Sequence, residues 1–101
     1  MCIRDRVCVD SELDWLESLP TKKAVHALLI IFSAKESIFK CIYPRTKTFL
    51  SFKDAAVSVN ETEKNFSFIV FKSCPGIIQQ GFKHHGRYSE IDKMLLTSVY
   101  I

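Results

Sequence analysis

An apolar pattern with helical spacing runs through residues 21–32, TKKAVHALLIIF, and no helix-breaking residue interrupts it. Apolar side chains recur at i, i+3, i+4 and i+7, which places them on one helical face: Val25, Leu28, Leu29 and Phe32. Pro20 suits the first turn, because the N–H it lacks would be unpaired there, and Ser18 is then expected to cap the helix. The pattern predicts one main helix whose apolar face is buried against strands.

Alternating and β-branched runs predict strands around this helix. Residues 65–72, NFSFIVFK, alternate most clearly, with Phe66, Phe68 and Val70 on one face. Further strands are predicted over residues 7–9, residues 38–43 before Pro44, and residues 48–52 with an extension over 54–59. Residues 90–101 are predicted to form a last strand, with a helix as the alternative. Residues 60–64 are typical of a polar turn, and residues 83–88, KHHGRY, of an exposed basic loop. Together these elements predict an α+β domain with one main helix packed on an antiparallel sheet.

Length and composition fit one small globular domain. The chain has 101 residues, 48% of them hydrophobic and 25% charged, with a net charge of +3. This composition excludes a disordered tail, and the mild positive charge allows a nucleic acid or an acidic partner without requiring either. The apolar run over residues 24–32 is too short to span a bilayer, and the N-terminus has charges where a secretory signal has its apolar region.

The ends of the chain and its cysteines add further expectations. Residues 1–6, MCIRDR, resemble a translated sequencing adapter and are expected to be non-native. The chain stops inside an apolar run, which indicates that residues 7–101 are the N-terminal part of a domain truncated at its C-terminus. The four cysteines are irregularly spaced without a CxxC pair, which favours a reduced intracellular protein with buried thiols.

Candidate reactive groups lie near the histidine pair. Cys74 with His84 or His85 could supply a thiol nucleophile and its base, or ligands for a metal. Neighbouring side chains on a strand point to opposite faces, so the two histidines do not easily share one ion. No acid that would orient the base is recognisable, and the common phosphate-binding, hydrolase and metallopeptidase motifs are absent. We therefore expect no catalytic residue, no bound metal and no cofactor.

Basic side chains are candidates for contact with phosphate groups: Lys22, Lys23, Lys35, Lys83 and Arg87. Composition alone favours a solvated helix end and loop, because short clusters of lysines are common on protein surfaces. Stacking on nucleic-acid bases would need exposed aromatic residues near these lysines. The phenylalanines alternate as core residues, so base stacking is not expected.

Several short motifs occur along the chain in a recognisable order. The first, within the predicted helix, consists of Lys23, Ala24, Val25, His26 and Leu28. It is followed by residues 50–53, LSFK, by the aromatic pair Phe66 and Phe68, by residues 77–81, and by residues 93–99, KMLLTSV. In this order the chain resembles the N-terminal part of the Rad-nine family, a subunit of the nine-one-one checkpoint clamp. The resemblance implies a PCNA-like sliding-clamp half-domain.

The resemblance also implies a function. The chain would be a non-catalytic subunit of a hetero-trimeric ring that encircles duplex DNA in the nucleus, acting in the DNA damage checkpoint and DNA repair. Its partners would be two other clamp subunits, a clamp loader and checkpoint factors. Lys22 and Lys23 would contact the DNA backbone without reading its sequence, and Lys83 and Arg87 would be further contacts with DNA or a partner.

Two other hypotheses belong to different functional classes. The chain could be a small α+β protein-interaction module unrelated to DNA, which would not gather its basic residues on the outer helix face. It could also be a cysteine-dependent enzyme, which would require Cys74 near a histidine in a pocket.

Overall fold

A computed structural model describes residues 3–72, 82–91 and 94–99 of the chain. Helices come first along the chain: α1 (Ile3–Val7), α2 (Asp10–Glu17), α3 (Thr21–Thr46) and a 3-10 turn (Phe52–Asp54). Four strands follow, β1 (Ala55–Asn60), β2 (Asn65–Val70), β3 (Phe82–Ile91) and β4 (Met94–Val99). The strands form one antiparallel sheet in the order β1-β2-β3-β4, and α3 packs on it. The predicted α+β class, with one main helix on an antiparallel sheet, is confirmed.

The main helix is much longer than the sequence pattern predicted. α3 has 26 residues, so the strand expected over residues 38–43 is wrong. Ala34, Ile38 and Ile42 continue the buried helical stripe through this segment. Its β-branched and aromatic composition suggested a strand, but strand propensity depends strongly on context. The helix ends after Thr46, where Lys47 adopts a left-handed conformation with φ 56° and its N–H donates to Tyr43 O at 2.7 Å.

The buried face of α3 also differs from the predicted one. Val25, Leu29 and Phe32 are 57%, 55% and 39% exposed, and only Leu28 of the predicted face is half-buried. The buried residues lie on the opposite side of the helix: Ala27, Ile30, Ile31, Ala34, Ile38 and Ile42. Both sides of residues 21–32 are apolar, so the periodicity of that segment alone could not identify the side that meets the sheet.

Two short predicted strands are absent from the described structure. Val7 ends α1 and residues 8–9 join it to α2, while residues 48–51 lead into the 3-10 turn that begins at Phe52. Ser18 ends α2 instead of capping α3, because its N–H donates to Asp14 O and Trp15 O; the N-cap of α3 is Pro20. These segments pack α1 and α2 against α3, where Val7, Leu16 and Ile31 share a second core cluster.

The sheet confirms the strand predicted over residues 65–72 as far as Val70, where β2 ends, and the turn predicted at residues 60–64. In that turn Asn60 Oδ1 accepts hydrogen bonds from Thr62 N and Glu63 N, each at 3.1 Å. Residues 83–88 are not a loop, because they lie within β3. The main core lies between α3 and the inner sheet face and includes Phe66, Phe68, Val70 and Tyr88. Within the described ranges, no helix combines the length and the apolarity that a membrane span requires.

Candidate functional site

A buried ion pair lies where α1, α2, α3 and β1 meet. Lys35, in the middle of α3, has no exposed surface, and its ammonium group donates to Glu12 Oε1 at 2.7 Å. The same group donates to two backbone carbonyls, Val7 O at 2.6 Å and Phe52 O at 2.7 Å. All three ammonium donors therefore have partners, as a buried charge requires.

Glu12 completes this network from α2. Its Oε1 accepts the N–H of Val9 at 2.8 Å, which is the carboxylate half of a capping box. Its Oε2 accepts the N–H of Val57 in β1 at 2.6 Å. Since the carboxylate is fully buried and each oxygen is occupied, Glu12 and Lys35 together fix the position of α3 relative to α2 and β1.

Burial and the pairing with Glu12 act on the pKa of Lys35 in opposite directions. Burial lowers the pKa of Lys35, because a low-dielectric interior disfavours the charged form. The hydrogen bond and the negative charge of Glu12 act in the opposite direction and favour the ammonium form. The geometry, with three oxygen acceptors around the nitrogen, supports a charged lysine that is held in place by its carboxylate partner.

The next residue of α3 carries a carboxylate of a different kind. Glu36 is partly exposed. No hydrogen bond or ion pair to its side chain is present among residues 3–72, 82–91 and 94–99. Lys40 follows one turn later on the same side of the helix and is exposed. Glu36 is thus available to a ligand, whereas the adjacent Lys35 is enclosed.

A cluster of hydroxyl groups fixes the other side of α3 to the sheet. Thr97 Oγ1 in β4 contacts Ser33 Oγ at 2.9 Å and donates to Ser33 O at 3.1 Å. Ser37 Oγ also forms a short hydrogen bond with Thr97 Oγ1. Together with the Glu12–Lys35 pair, this contact holds the segment of α3 that carries Glu36 from two sides.

Lys22 and Lys23 lie together at the N-terminal end of α3, beside a surface pocket. This pocket is also lined by acidic groups, and Glu90 accepts a hydrogen bond from His26 Nε2 at 2.9 Å. Lys64 Nζ lies 3.5 Å from the same carboxylate oxygen. The pocket is therefore of mixed charge and not a continuous basic surface.

Lys83 and Arg87 lie elsewhere. They alternate along β3 with the inward-facing residues Gly86 and Tyr88, so they point away from α3 on the outer face of the sheet. The structure therefore does not bring them together with Lys22 and Lys23. Lys35 is buried and cannot be a surface contact for phosphate. Whether any of the exposed basic residues contacts DNA stays an untested prediction.

The alternative reactive groups are not assembled in the described structure. His84 lies 6.2 Å from the ring of Phe68, measured between ring centroids, on the inner side of β3, whereas His85 is on the outer side. Cys74 lies outside the described residues, as do residues 77–81 and Lys93. In the part of the chain that is described, no group of three or more His, Cys, Asp or Glu side chains could hold a metal ion.

The sequence did contain a signal for the buried pair. Lys35 lies four residues after Ile31 and three before Ile38, so it falls on the buried stripe once the helix continues to Thr46. A lysine on such a stripe requires a buried acid as its partner. Because the predicted helix ended near Phe32, Lys35 was not assigned to that stripe and was counted among the candidate surface contacts.

The sequence is similar to a known family and to a known protein. Residues 1–92 match the sequence profile of the 4′-phosphopantetheinyl transferase superfamily. One curated relative, 4′-phosphopantetheinyl transferase Svp of Streptomyces mobaraensis, is 31% identical to this chain over 99 residues, or 94% of the chain. The match covers 39% of that relative, so the chain spans well under half of the relative's length. Glu12, Lys35 and Glu36 all lie inside the matched range.

These matches overturn the resemblance to the Rad-nine family, which rested on short motifs scattered along the chain. The non-catalytic clamp function, the hetero-trimeric ring with duplex DNA, and the clamp loader and checkpoint partners are therefore wrong. The expectation that the chain is not an enzyme is wrong for the same reason, and the interaction-module alternative gains no support. The nuclear location, the non-native origin of residues 1–6 and the truncation of residues 7–101 stay predictions.

Proposed function

The chain belongs to the 4′-phosphopantetheinyl transferase superfamily, and we propose on that basis that the protein carrying it transfers a 4′-phosphopantetheinyl group from coenzyme A to a carrier protein. The observation that carries this proposal is the family match over residues 1–92, which includes all of α3. The similarity to Svp, a protein named for the same activity, supports it.

The proposed reaction sets clear chemical requirements. An acceptor hydroxyl loses its proton and forms a bond to the phosphorus that carries pantetheine, while the pyrophosphate bond to the adenine nucleotide breaks. Enzymes that transfer phosphoryl groups act mainly by positioning the reactants and by neutralising charge on the phosphate oxygens. The protein must therefore present a group that accepts the proton or organises positive charge at the phosphate.

Glu36 is the described residue that fits this requirement best. Its carboxylate is partly exposed and has no partner among the described side chains and backbone groups. A carboxylate in this state can accept a proton from an attacking hydroxyl or bind a divalent cation together with substrate phosphates. We assign to Glu36 the role of contacting the reacting groups.

Lys35 and Glu12 have a different part in the proposal. Both side chains are fully buried and saturated with protein partners, so neither reaches a substrate in this structure. They are positioning residues, because their contacts with α2 and β1 set the rotation and height of the turn of α3 that carries Glu36. A small displacement of that turn is expected to reduce catalysis strongly.

The test compares the wild-type protein with Glu36→Gln and with the matched control Glu63→Gln, an exposed carboxylate in the turn at residues 61–64. Transfer from coenzyme A to an apo-carrier protein in the presence of Mg²⁺ is followed by intact-protein mass spectrometry. Glu36→Gln is expected to lower kcat by about 10²–10⁴-fold, with the control unchanged. Equal activity of wild type and Glu36→Gln would remove Glu36 from the site, and absence of transfer by the wild type would overturn the proposed function.

A further inference from the structure

The outer face of the sheet carries basic side chains that the proposed transferase site does not use. Lys83, His85 and Arg87 are exposed and alternate along β3 with Tyr88, whose side chain belongs to the core. They therefore point away from α3, which packs on the other face of the sheet. Since Glu36 belongs to α3, a ligand that binds to these three side chains would leave Glu36 free.

Arg87 is the centre of a row of polar side chains that crosses three strands. The register places it opposite Asn65 of β2 and opposite Ser98 of β4. Both of these side chains share the outer face, because they alternate with residues that face the core or contact α3. Directly opposed residues have Cβ atoms about 4.5–5.5 Å apart, and His85 lies about 7 Å from Arg87 along β3. Four polar side chains thus converge on one small area.

These four side chains, with Gly86 between them, line a surface pocket of about 440 Å³, the outer-face pocket. Each brings a hydrogen-bond donor: the Arg87 guanidinium, the Asn65 amide, the Ser98 hydroxyl and an imidazole N–H of His85. Among residues 3–72, 82–91 and 94–99, none of the four side chains has a hydrogen bond or an ion pair. Their donors are therefore available to a ligand.

The charge of Arg87 has no counter-charge within this row. Opposite charges on neighbouring strands stabilise a sheet, yet both direct neighbours of Arg87 are neutral hydrogen-bond donors. Glu63 borders the adjacent pocket together with Arg87 but forms no ion pair with it in the described part of the chain. No acidic residue of the described ranges lines the outer-face pocket itself, so its charge favours an anion.

We propose that the outer-face pocket binds the phosphate group of a small phosphate monoester. A phosphate monoester carries a charge of about −1.5 to −2 at pH 7 and three strong acceptor oxygens. The planar guanidinium of Arg87 matches two of these oxygens, and the amide, hydroxyl and imidazole groups can donate to the remainder. The volume of the pocket lies within the range that holds small organic ligands, so the pocket also has room for the alcohol part of the ester.

Binding at this pocket is independent of the proposed transferase activity, because the pocket and Glu36 lie on opposite sides of the sheet. The donors are exposed, so water and salt weaken each contact. We therefore expect a dissociation constant in the millimolar range that increases with ionic strength. The negative charge of Glu63 should oppose binding, and Glu63→Gln should strengthen it by about twofold.

The test is a titration of the isotope-labelled protein, expressed from the complete reading frame, with inorganic phosphate and with glycerol 3-phosphate, followed by heteronuclear NMR. Both ligands should cause saturable shifts of the amide signals of the residues that line the pocket, whereas glycerol should cause none. Arg87→Gln should weaken binding of glycerol 3-phosphate by at least about tenfold, because it removes the charged pair of donors. Arg87→Lys keeps the charge but loses the planar geometry and should still weaken binding by about threefold.

Lys83→Gln is the matched control, because it removes a positive charge from the same face of β3 about 13 Å from Arg87, and Lys83 does not line the outer-face pocket. It should change the affinity by less than about twofold. The NMR spectrum of each variant without ligand establishes that the fold is intact. Three results would overturn the proposal: no saturable shift of the wild type with the ester, shifts confined to the surroundings of Glu36, or equal losses for Lys83→Gln and Arg87→Gln.

Discussion

At position 35 a lysine occupies a stripe of α3 that otherwise buries alanine and isoleucine. Its charge is tolerated because Glu12 and two backbone carbonyls, Val7 O and Phe52 O, surround the ammonium group. Such a pair is an unreliable source of net stability, since the cost of removing both charges from water offsets much of their attraction. Its consequence is geometric, because its hydrogen bonds connect α3 to α2 and α2 to β1.

Removing one member of this pair should be far more damaging than the pair's net contribution suggests. Lys35→Met and Glu12→Gln are each expected to lower the free energy of unfolding by about 3–5 kcal/mol, because each leaves a buried group without its partner. The double variant should lose less than the sum of the two single losses. Urea denaturation of the four proteins measures this coupling. Strictly additive losses would show that the two side chains do not interact.

At Gly86 the absence of a Cβ atom allows the ring of Phe66 to pack against the backbone of β3. Gly86 lies opposite Phe66 in the β2–β3 register, and a Cβ at this position would lie within 2.8 Å of three ring atoms of Phe66. Gly86→Ala is therefore expected to destabilise the protein by about 1–3 kcal/mol. The loss should be smaller in a Phe66→Leu background, where the ring is gone. An equal loss in both backgrounds, measured by thermal denaturation, would contradict this explanation.

At the scale of elements, α3 determines how the rest of the chain is arranged. The helical spacing of apolar residues over residues 21–32 correctly predicts a helix there. It does not identify the buried side of that helix, because apolar residues occur on both sides. The ambiguity is resolved only by the continuation through Ala34, Ile38 and Ile42, which is buried on one side. That continuation was assigned to a strand because its β-branched and aromatic residues are favourable in either structure.

Two neighbouring substitutions distinguish the two sides of α3. Ile31→Ala removes a fully buried side chain and should destabilise by about 2–5 kcal/mol. Leu29→Ala, on the exposed side, should change the stability of the monomer by no more than about 0.5 kcal/mol. Both are measured by urea denaturation. A greater loss for Leu29→Ala than for Ile31→Ala would reverse the assignment of the faces.

The hydrogen bond between His26 of α3 and Glu90 of β3 should make the free energy of unfolding depend on pH in the acidic range. The hydrogen bond from His26 lowers the pKa of Glu90, with smaller contributions from the positive charges of His26 and Lys64, while burial opposes the shift. The folded protein therefore holds this proton less tightly than the unfolded chain. The stabilisation is complete above the ordinary glutamate pKa of about 4.3 and is lost as the pH falls through the lowered value.

Glu90→Gln should therefore flatten part of the decrease in stability below about pH 4.3. Asp14→Asn, which removes an exposed carboxylate from α2, is the control and should leave that part of the profile in place. The measurement is the midpoint of urea denaturation as a function of pH for the three proteins. Identical acid profiles of wild type and Glu90→Gln would contradict the contribution of this contact.

At the scale of the whole molecule, the α+β class, the strand β2 and the turn before it were predictable because alternation and turn residues are local signals. The burial of Lys35 follows from the helical stripe once α3 continues to Thr46, but its pairing with Glu12 was not predictable, since Glu12 lies 23 positions away in the sequence and is brought close by tertiary packing. The family was misassigned because short motifs of common residues match many proteins by chance. The family match extends over residues 1–92 and does not depend on short motifs.

The central proposal is that the protein carrying this sequence acts as a 4′-phosphopantetheinyl transferase, in line with the superfamily to which the chain belongs. The most direct measurement is the intact mass of an apo-carrier protein after incubation with coenzyme A and the protein expressed from the complete reading frame that encodes these residues. The account predicts that the carrier gains the mass of one 4′-phosphopantetheinyl group. A carrier that remains unmodified, under conditions in which Svp of Streptomyces mobaraensis modifies it fully, would contradict the claim.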